Sequence, residues 1–301
     1  MKTGIRMPSR TLLIMALGTM ALATPLAGFG GQDIDETRDM PANGLVLVEN
    51  VAGEVEFVTW DRSEVQVRGE AGDTVEEIEV TANSKGVQVR VRNRDGERRT
   101  DGTNLYLRIP ESASIEADTV SADITVSGSR GDSILVNTVA GDLEIEAYLQ
   151  RLELSSVSGD VEFEGSSSRS TVETVSGEIT LVGLSGEVGA STVSGDVTIE
   201  AGETTRGRFE SVSGDMTLTL SLAEGGRLSC DSMSGDVKLR LPASQEAEFT
   251  AQSYSGNIIT DFGDSDRVSK GPGVMLQHRE GDNGAQVRLE SFSGDISIRR
   301  K

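Results

Sequence analysis

The sequence predicts an all-β fold, a parallel β-helix or β-solenoid of about ten coils, and three observations carry that prediction. The pentapeptide Val157-Ser158-Gly159-Asp160-Val161 recurs in near-copies along most of the chain. Aligned on the acidic residue, the copies have ten anchors: Glu54, Asp123, Asp142, Asp160, Glu178, Asp196, Asp215, Asp236, Asn257 and Asp295. From Asp123 to Asn257 the steps are 19, 18, 18, 18, 19, 21 and 21 residues. A fixed period of this size marks a solenoid, in which each repeat buries its apolar face only against its neighbours. The columns of the alignment also alternate as strands do. One residue after the anchor stand Val55, Ile124, Leu143, Val161, Ile179, Val197, Met216, Val237, Ile258 and Ile296, all apolar. Three after it stand Phe57, Val126, Ile145, Phe163, Leu181, Ile199, Leu218, Leu239, Thr260 and Ile298, apolar but for Thr260, and the residue between is mostly polar. That is strand alternation with one buried face.

Before the anchor the phase changes. Three residues before it the series runs Val51, Val120, Val139, Val157, Val175, Val193, Val212, Met233, Tyr254 and Phe292. It shares the parity of the two columns above and is read as core. Six before it, Val48, Ala117, Val136, Leu154, Val172, Ala190, Phe209, Cys230, Ala251 and Leu289 are also apolar, with the opposite parity. A phase change within one repeat means that the chain turns a corner while keeping the same side inward. The corner is placed near the residue four before the anchor, which is Ser or Thr in nine of the ten copies. Gly precedes every anchor except Asp123, which follows Ala122; it supplies a missing side chain where the inner face is tight or the backbone unusual. Each coil is thus a strand, a bend, a second strand and a variable return loop. With strands about 4.8 Å apart, ten coils stack to roughly 50 Å, and the repeated strand order makes the stack parallel and, by the usual preference, right-handed.

Taken in order, the chain opens with a predicted secretory signal peptide over residues 1–30. Lys2, Arg6 and Arg10 precede an apolar run from Thr11 to Ala23, then small residues and Pro25, with cleavage between about residues 23 and 30. Residues 31–301 are read as a single β-solenoid domain, exported to the periplasm, the cell surface or the medium, with no stable membrane insertion after cleavage. An insertion at about 58–114 separates the first coil from the rest. Its alternating runs at Glu64 to Val67, Val75 to Val80, Val87 to Val91 and Leu105 to Ile109 read as antiparallel strands covering one end of the solenoid, where an open edge would aggregate. Arg90, Arg92 and Arg94 alternate there, followed by Arg98 and Arg99, and read as an outward face paired with acids such as Glu76 and Glu79, or else as a basic docking patch. A second insertion at 261–286 is rich in Gly, Asp and Ser and reads as a loop or hairpin excursion. The chain ends in Arg299-Arg300-Lys301, charges suited to blunting a last strand edge.

Composition narrows the chemistry. The 28 basic residues face 49 acidic ones, for a net charge of -21, a surface that repels nucleic acid and anionic lipid and attracts cations or a basic protein. Cys230 and His278 are the only residues of their types, which removes a disulfide framework and most zinc designs, and any histidine-based triad would have to use His278, which sits in the second insertion. Cys230 falls in an inward column as a small buried hydrophobe, and the Ser/Thr column has no base beside it. Stacked anchors would place carboxylates roughly 5 Å apart. Each Asp then either accepts backbone N–H groups at its corner or joins a calcium ladder made of Asp142, Asp160, Glu178, Asp196, Asp215 and Asp236. No other cofactor, and no catalytic residue, is expected. Aromatics are 4% of the chain; with Phe57, Phe163, Phe209, Tyr254 and Phe292 read as core, Trp60, Tyr106 and Tyr148 remain as the main sugar platforms, too few for a groove.

The repeated Val-Ser-Gly-Asp-Val motif, the run Leu105-Tyr106-Leu107-Arg108-Ile109-Pro110, and Asn50-Val51-Ala52-Gly53-Glu54-Val55 with Trp60-Asp61 after it resemble the bacterial DUF4097 family of β-strand-repeat proteins, also called putative adhesins. The resemblance spans roughly residues 44 to 298. It implies a β-helix shaped like the pectin lyases without their catalytic residues, and an adhesive role at the cell envelope. The expected function is therefore a non-enzymatic exported envelope protein whose regular face, including Thr180, Thr198 and Thr217, binds an unidentified envelope or surface protein or a glycan. The alternatives are a polysaccharide-binding or polysaccharide-active β-helix and an envelope sensor acting through a regulatory partner.

Overall fold

Alternation along the repeat is what builds the molecule: a side chain every second residue turns inward, and coil after coil lays the same columns on one another. The computed structural model describes residues 33–94, 102–267, 272–282 and 284–301, so the expected signal peptide and the pair Arg98 and Arg99 lie outside the described residues. Those residues form twenty strands and no helix.

At the N-terminal end, β1 (Ile34–Asp39) is followed by β2 (Leu45–Trp60), the whole of the coil anchored at Glu54. Then come β3 (Glu64–Glu70), β4 (Val75–Asn83), β5 (Gly86–Asn93) and β6 (Thr103–Pro110). Only half of this insertion is antiparallel: β3 pairs with β6 and β1, and β4 with β5. The other half, β5 and β6, runs parallel to the two halves of β2 and makes an extra coil without an anchor. Alternation reveals that a strand has one buried face and not which way it runs, so the two kinds looked alike in the sequence.

From β2 onward β7 (Ser114–Ser129), β8 (Ser133–Asn137), β9 (Leu143–Ser158), β10 (Val161–Ser176), β11 (Ile179–Ser194), β12 (Val197–Ser213), β13 (Met216–Ser234) and β14 (Val237–Leu241) stack parallel in chain order. The register repeats the sequence alignment: Val161 lies between Leu143 and Ile179, and Val172 between Leu154 and Ala190.

At the C-terminal end the stacking order departs from chain order. After β15 (Ala247–Ser253) and β16 (Ile258–Thr260) the chain leaves through β17 (Ser265–Arg267) and β18 (Val274–Glu280), and β18 runs antiparallel along β15. It then returns as β19 (Gln286–Ser293) and β20 (Ile296–Arg300), which slot between β13 and β15 and between β14 and β16. The Asp295 coil therefore sits inside the Asn257 coil. The terminal charges do not blunt an edge, because β20 has a partner on both sides. Instead Arg299 pairs with Asp261 at 2.7 Å, and Arg300 ties the excursion down. Its guanidinium reaches Glu280 at 3.0 Å and the Ala243 carbonyl at 2.9 Å, and lies 4.3 Å over the Phe262 ring.

The core is a column of inward side chains, with Phe57, Phe163, Phe209, Phe249 and Phe262 fully buried and the last two rings stacked at 4.6 Å. The columns one and three after the anchor and six before it are inside as expected. The column three before it is not. Val157 is 46% exposed and Phe292 63%. Inward positions run at eight, six and four before the anchor, as in Ser170, Val172 and Thr174, and resume at Ile179 and Leu181. The phase change thus falls after the Ser/Thr column, whose hydroxyls are buried, and the Val-Ser-Gly-Asp stretch forms the corner on the outside.

Candidate functional site

The corner explains its own sequence. At Gly159 the backbone has φ +135°, and a Cβ there would come within 2.1 Å of the Gly141 carbonyl oxygen of the coil beneath. The stacked glycines repeat that approach, so coils can touch only where the side chain is absent. The anchor that follows accepts a backbone N–H from the next coil. Oδ1 of Asp123, Asp142, Asp160, Asp196, Asp215, Asp236 and Asp295 receives the N–H of Asp142, Asp160, Glu178, Asp215, Asp236, Asp295 and Asn257 at 2.8–3.0 Å. Among the described residues the two Glu anchors, Glu54 and Glu178, make no such bond. Their extra methylene carries the carboxylate past the amide. Asn257 closes the stack, where no further anchor follows.

Two residues before the glycine the chain throws an apolar side chain outward. Val120, Val139, Val157, Val175, Val193, Val212, Met233, Phe292 and Tyr254, in stacking order, form one ladder along nine coils, each between 41% and 63% exposed. Single exposed apolar residues are ordinary, but a continuous row is the mark of a contact surface. Neighbouring rungs cover part of each other, so the row also packs coil on coil. The residues of this column, read from sequence as core, are therefore exposed, apart from Val51, which is half-buried. The signal that separates them is one column further back. At eight before the anchor stand Val46, Ile115, Ile134, Leu152, Val188, Leu228, Val287 and Phe249, with Ser170 and Gly207 completing the column, all buried, and their parity puts the Ser/Thr column inside and the next residue outside.

The ladder runs between two acidic rows. On one side lie the anchors, whose second carboxylate oxygens are not used by the backbone. Among the described residues only one cation pairs with them, Lys238 with Asp215 at 3.1 Å. The Asp215 carboxyl is held below its usual range chiefly by the Asp236 N–H, against the opposing effect of burial, with Lys238 adding to the lowering. On the other side the residues five before the anchor include Glu49, Asp118, Glu173, Glu210, Asp231 and Glu290. Between this row and the ladder the surface dips into a groove of about 530 Å³, bounded by Val193, Val212, Met233, Phe292 and Tyr254 opposite Glu210, Asp231 and Glu290. A like hollow of about 430 Å³ lies at the other end, with Val51, Val120 and Val139 opposite Glu49 and Asp118. Tyr254 and Phe292 stand 6.0 Å apart, centroid to centroid. They are an exposed aromatic pair at one end of the groove and not the core residues expected.

The other sequence candidates fall elsewhere. Asp142, Asp160, Glu178, Asp196, Asp215 and Asp236 do stack. Among the described residues, however, no group of three or more His, Cys, Asp or Glu side chains is placed to hold a metal ion. Arg90 makes a two-pronged pair with Glu49 at 2.7 Å, Arg92 meets Glu79 at 3.4 Å, and Arg94 donates to the Asp73 carbonyl, the paired arrangement expected of an outward face. His278 contacts Glu280 at 3.1 Å. Cys230 is buried and its thiol is pushed up by desolvation. Tyr148 is exposed beneath the Arg130 guanidinium, and Trp60 donates Nε1–H to the Glu64 carbonyl. Thr180, Thr198 and Thr217 are half-buried on the outward face. No helix of the described residues is long and apolar enough to cross a membrane.

Residues 47–226 and 222–299 match the family described as Toastrack DUF4097. The chain belongs to the DUF4097 family. Solved structures similar to this DUF4097 chain include a putative adhesin from Bacteroides fragilis, 11% identical, covering 91% of this chain and 99% of that one with a TM-score of 0.46. A putative lipid binding protein from Parabacteroides distasonis is 13% identical over 90% of this chain and 98% of that one, TM-score 0.48. A putative adhesin from Parabacteroides merdae is 9% identical over 90% and 95%, TM-score 0.43. No curated protein matches the sequence.

Proposed function

We propose that this DUF4097 protein is a non-enzymatic, exported cell-envelope protein that works by binding, with the solenoid as a rigid scaffold for the apolar ladder. The observation that carries this reading is the unbroken exposed row from Val120 to Tyr254 on a chain whose other apolar columns are inside. A catalytic reading lacks its parts: the hydroxyls of the column four before the anchor are buried, and the single histidine is engaged with Glu280 in the excursion. Exposed apolar rungs leave unburied, on the order of 1 kcal/mol apiece, the stabilisation that covering them would bring.

The test is photocrosslinking in the native cell from probes placed at Val175, Val193 or Met233, with Glu162 on another face as control. Adducts confined to the ladder probes support the reading. Equal labelling from Glu162, or none from any position, sinks it.

A second reading, polysaccharide binding, is favoured by the exposed Tyr254 and Phe292 pair, since aromatic faces serve as sugar platforms. A glycan array on the wild-type protein and on Y254A/F292A separates it from the first. Silence on the array removes it.

A further inference from the structure

We propose, building on the binding role just described, that the ladder is the seat of a basic amphipathic helix contributed by a partner protein. Three features of the surface select this occupant. The first is charge. The apolar row is flanked by the anchor carboxylates, which among the described residues pair with one cation, Lys238, and by a second acidic row in which Glu49, Glu210 and Glu290 are paired with Arg90, Arg208 and Arg288 while Glu173 and Asp231 are in no ion pair. A ligand that covers the apolar rungs must lay its flanks over these acids, so lysines or arginines beside its apolar face are favoured and acidic flanks are repelled. This argues against a second copy of the chain, which would bring its own carboxylate rows to the same place, and against an anionic lipid surface.

The second is spacing. Rungs on successive coils lie about 4.8 Å apart, close to the 5.4 Å pitch of an α-helix. A helix lying along the row can therefore place one apolar side chain per rung over several coils before the two repeats drift apart. An extended strand repeats its faces every ~6.6 Å and loses step after two rungs. The third is shape. Eight steps from Val120 to Tyr254 span roughly 38 Å, the length of about 25 helical residues, and the rungs grow from Val to Met233, Phe292 and Tyr254 toward one end. There the groove of about 530 Å³ gives larger apolar side chains room, and a methionine adapts to them.

The experiment uses the purified protein and a synthetic 25-residue leucine/lysine helix peptide, with a scrambled peptide of equal composition and a leucine/glutamate analogue as controls. The patterned basic peptide is expected to bind about tenfold or more tightly than either control, and to weaken as salt rises. V175S/V193S/V212S should weaken it about tenfold. D142N/D160N/D196N/D295N, which keeps a carbonyl oxygen for each backbone N–H, should weaken it and flatten the salt dependence. Both variants should retain the wild-type strand spectrum. Equal affinity for the scrambled peptide, or wild-type affinity in the serine variant, overturns the proposal. So does a dimer in sedimentation velocity that disappears in V175S/V193S/V212S, or ladder-dependent binding to lipid vesicles. If the peptide fails while ladder probes still crosslink in cells, the binding role stands and the basic helix does not.

Discussion

Asp160 reaches across one coil to Glu178: its Oδ1 accepts the Glu178 backbone N–H at 2.8 Å. That bond makes the anchor a device for stacking coils, the first of the two roles its place in the repeat allows. It uses one carboxylate oxygen for stacking, while the other stays available to the surface. Asp160→Ala is expected to cost roughly 0.5–1.5 kcal/mol, and Asp160→Asn to cost less because it keeps the acceptor. Chemical denaturation of the two variants checks this; equal losses would mean that the carboxylate acts by charge alone.

Gly159 stands at φ +135° with the Gly141 carbonyl 2.1 Å from where a Cβ would lie. Gly159→Ala must either strain the corner or push two coils apart, at a cost of about 2 kcal/mol or more. Gly225, which also has positive φ but nothing within 4 Å of a Cβ, is the control. Its alanine variant should lose less, by an amount that reflects backbone conformation alone.

The fold was legible because a parallel stack makes the sequence periodic: Val161, Phe163 and Val172 announce their burial by recurring in every coil. What the repeat did not carry is the order in which coils stack once the chain makes a detour. Asp295 has the same motif whether its coil lies outside Asn257 or inside it, and only pairing of β19 with β13 and β15 decides. The exposed ladder was hidden for a different reason. Val157 and Val161 share parity, and a strand of four further residues would face both inward. The glycine corner between them breaks the strand, so parity no longer transfers from one side to the other. Ser156, buried just before Val157, carried the correct phase.

Calcium addition or chelation is expected to leave the melting midpoint unchanged. The anchor oxygens nearest the next coil are already occupied by N–H donors, as at Asp142 and Asp196, and a hard cation needs six to eight oxygens, about 2.3–2.6 Å away. A midpoint that rises with millimolar calcium would establish the ladder as a cation site.

Arg300 holds together three pieces of the C-terminal end: Ala243 before β15, Asp261 after β16 and Glu280 at the end of β18. Arg300→Ala should loosen this end by roughly 1–3 kcal/mol. Arg300→Lys should recover only part of it, because an ammonium does not make a planar fork or stack on Phe262 in the same way. Hydrogen exchange is the informative readout, since a solenoid can open at one end while its middle stays closed. Faster exchange in β15–β20 with β9–β12 unchanged is the expected result, and uniform acceleration would contradict it.

Glu178 is the one interior anchor of the regular coils that is not Asp, and the Asp196 N–H above it is the one in that run that an anchor carboxylate does not receive. Shortening the side chain should complete the ladder. Glu178→Asp preserves charge, exposure and the backbone around it, so neither net electrostatics nor packing in the core explains a gain. A charge-assisted bond of the kind made by Asp160 and Asp196 contributes roughly 0.5–1.5 kcal/mol. In a domain of this size that corresponds to a midpoint shift of about 2–4 °C per kcal/mol. Glu178→Gln, which has the same reach as Glu, serves as the comparison. If it stabilises as much as Glu178→Asp, relief of repulsion between stacked carboxylates is the cause, and the missing hydrogen bond is not.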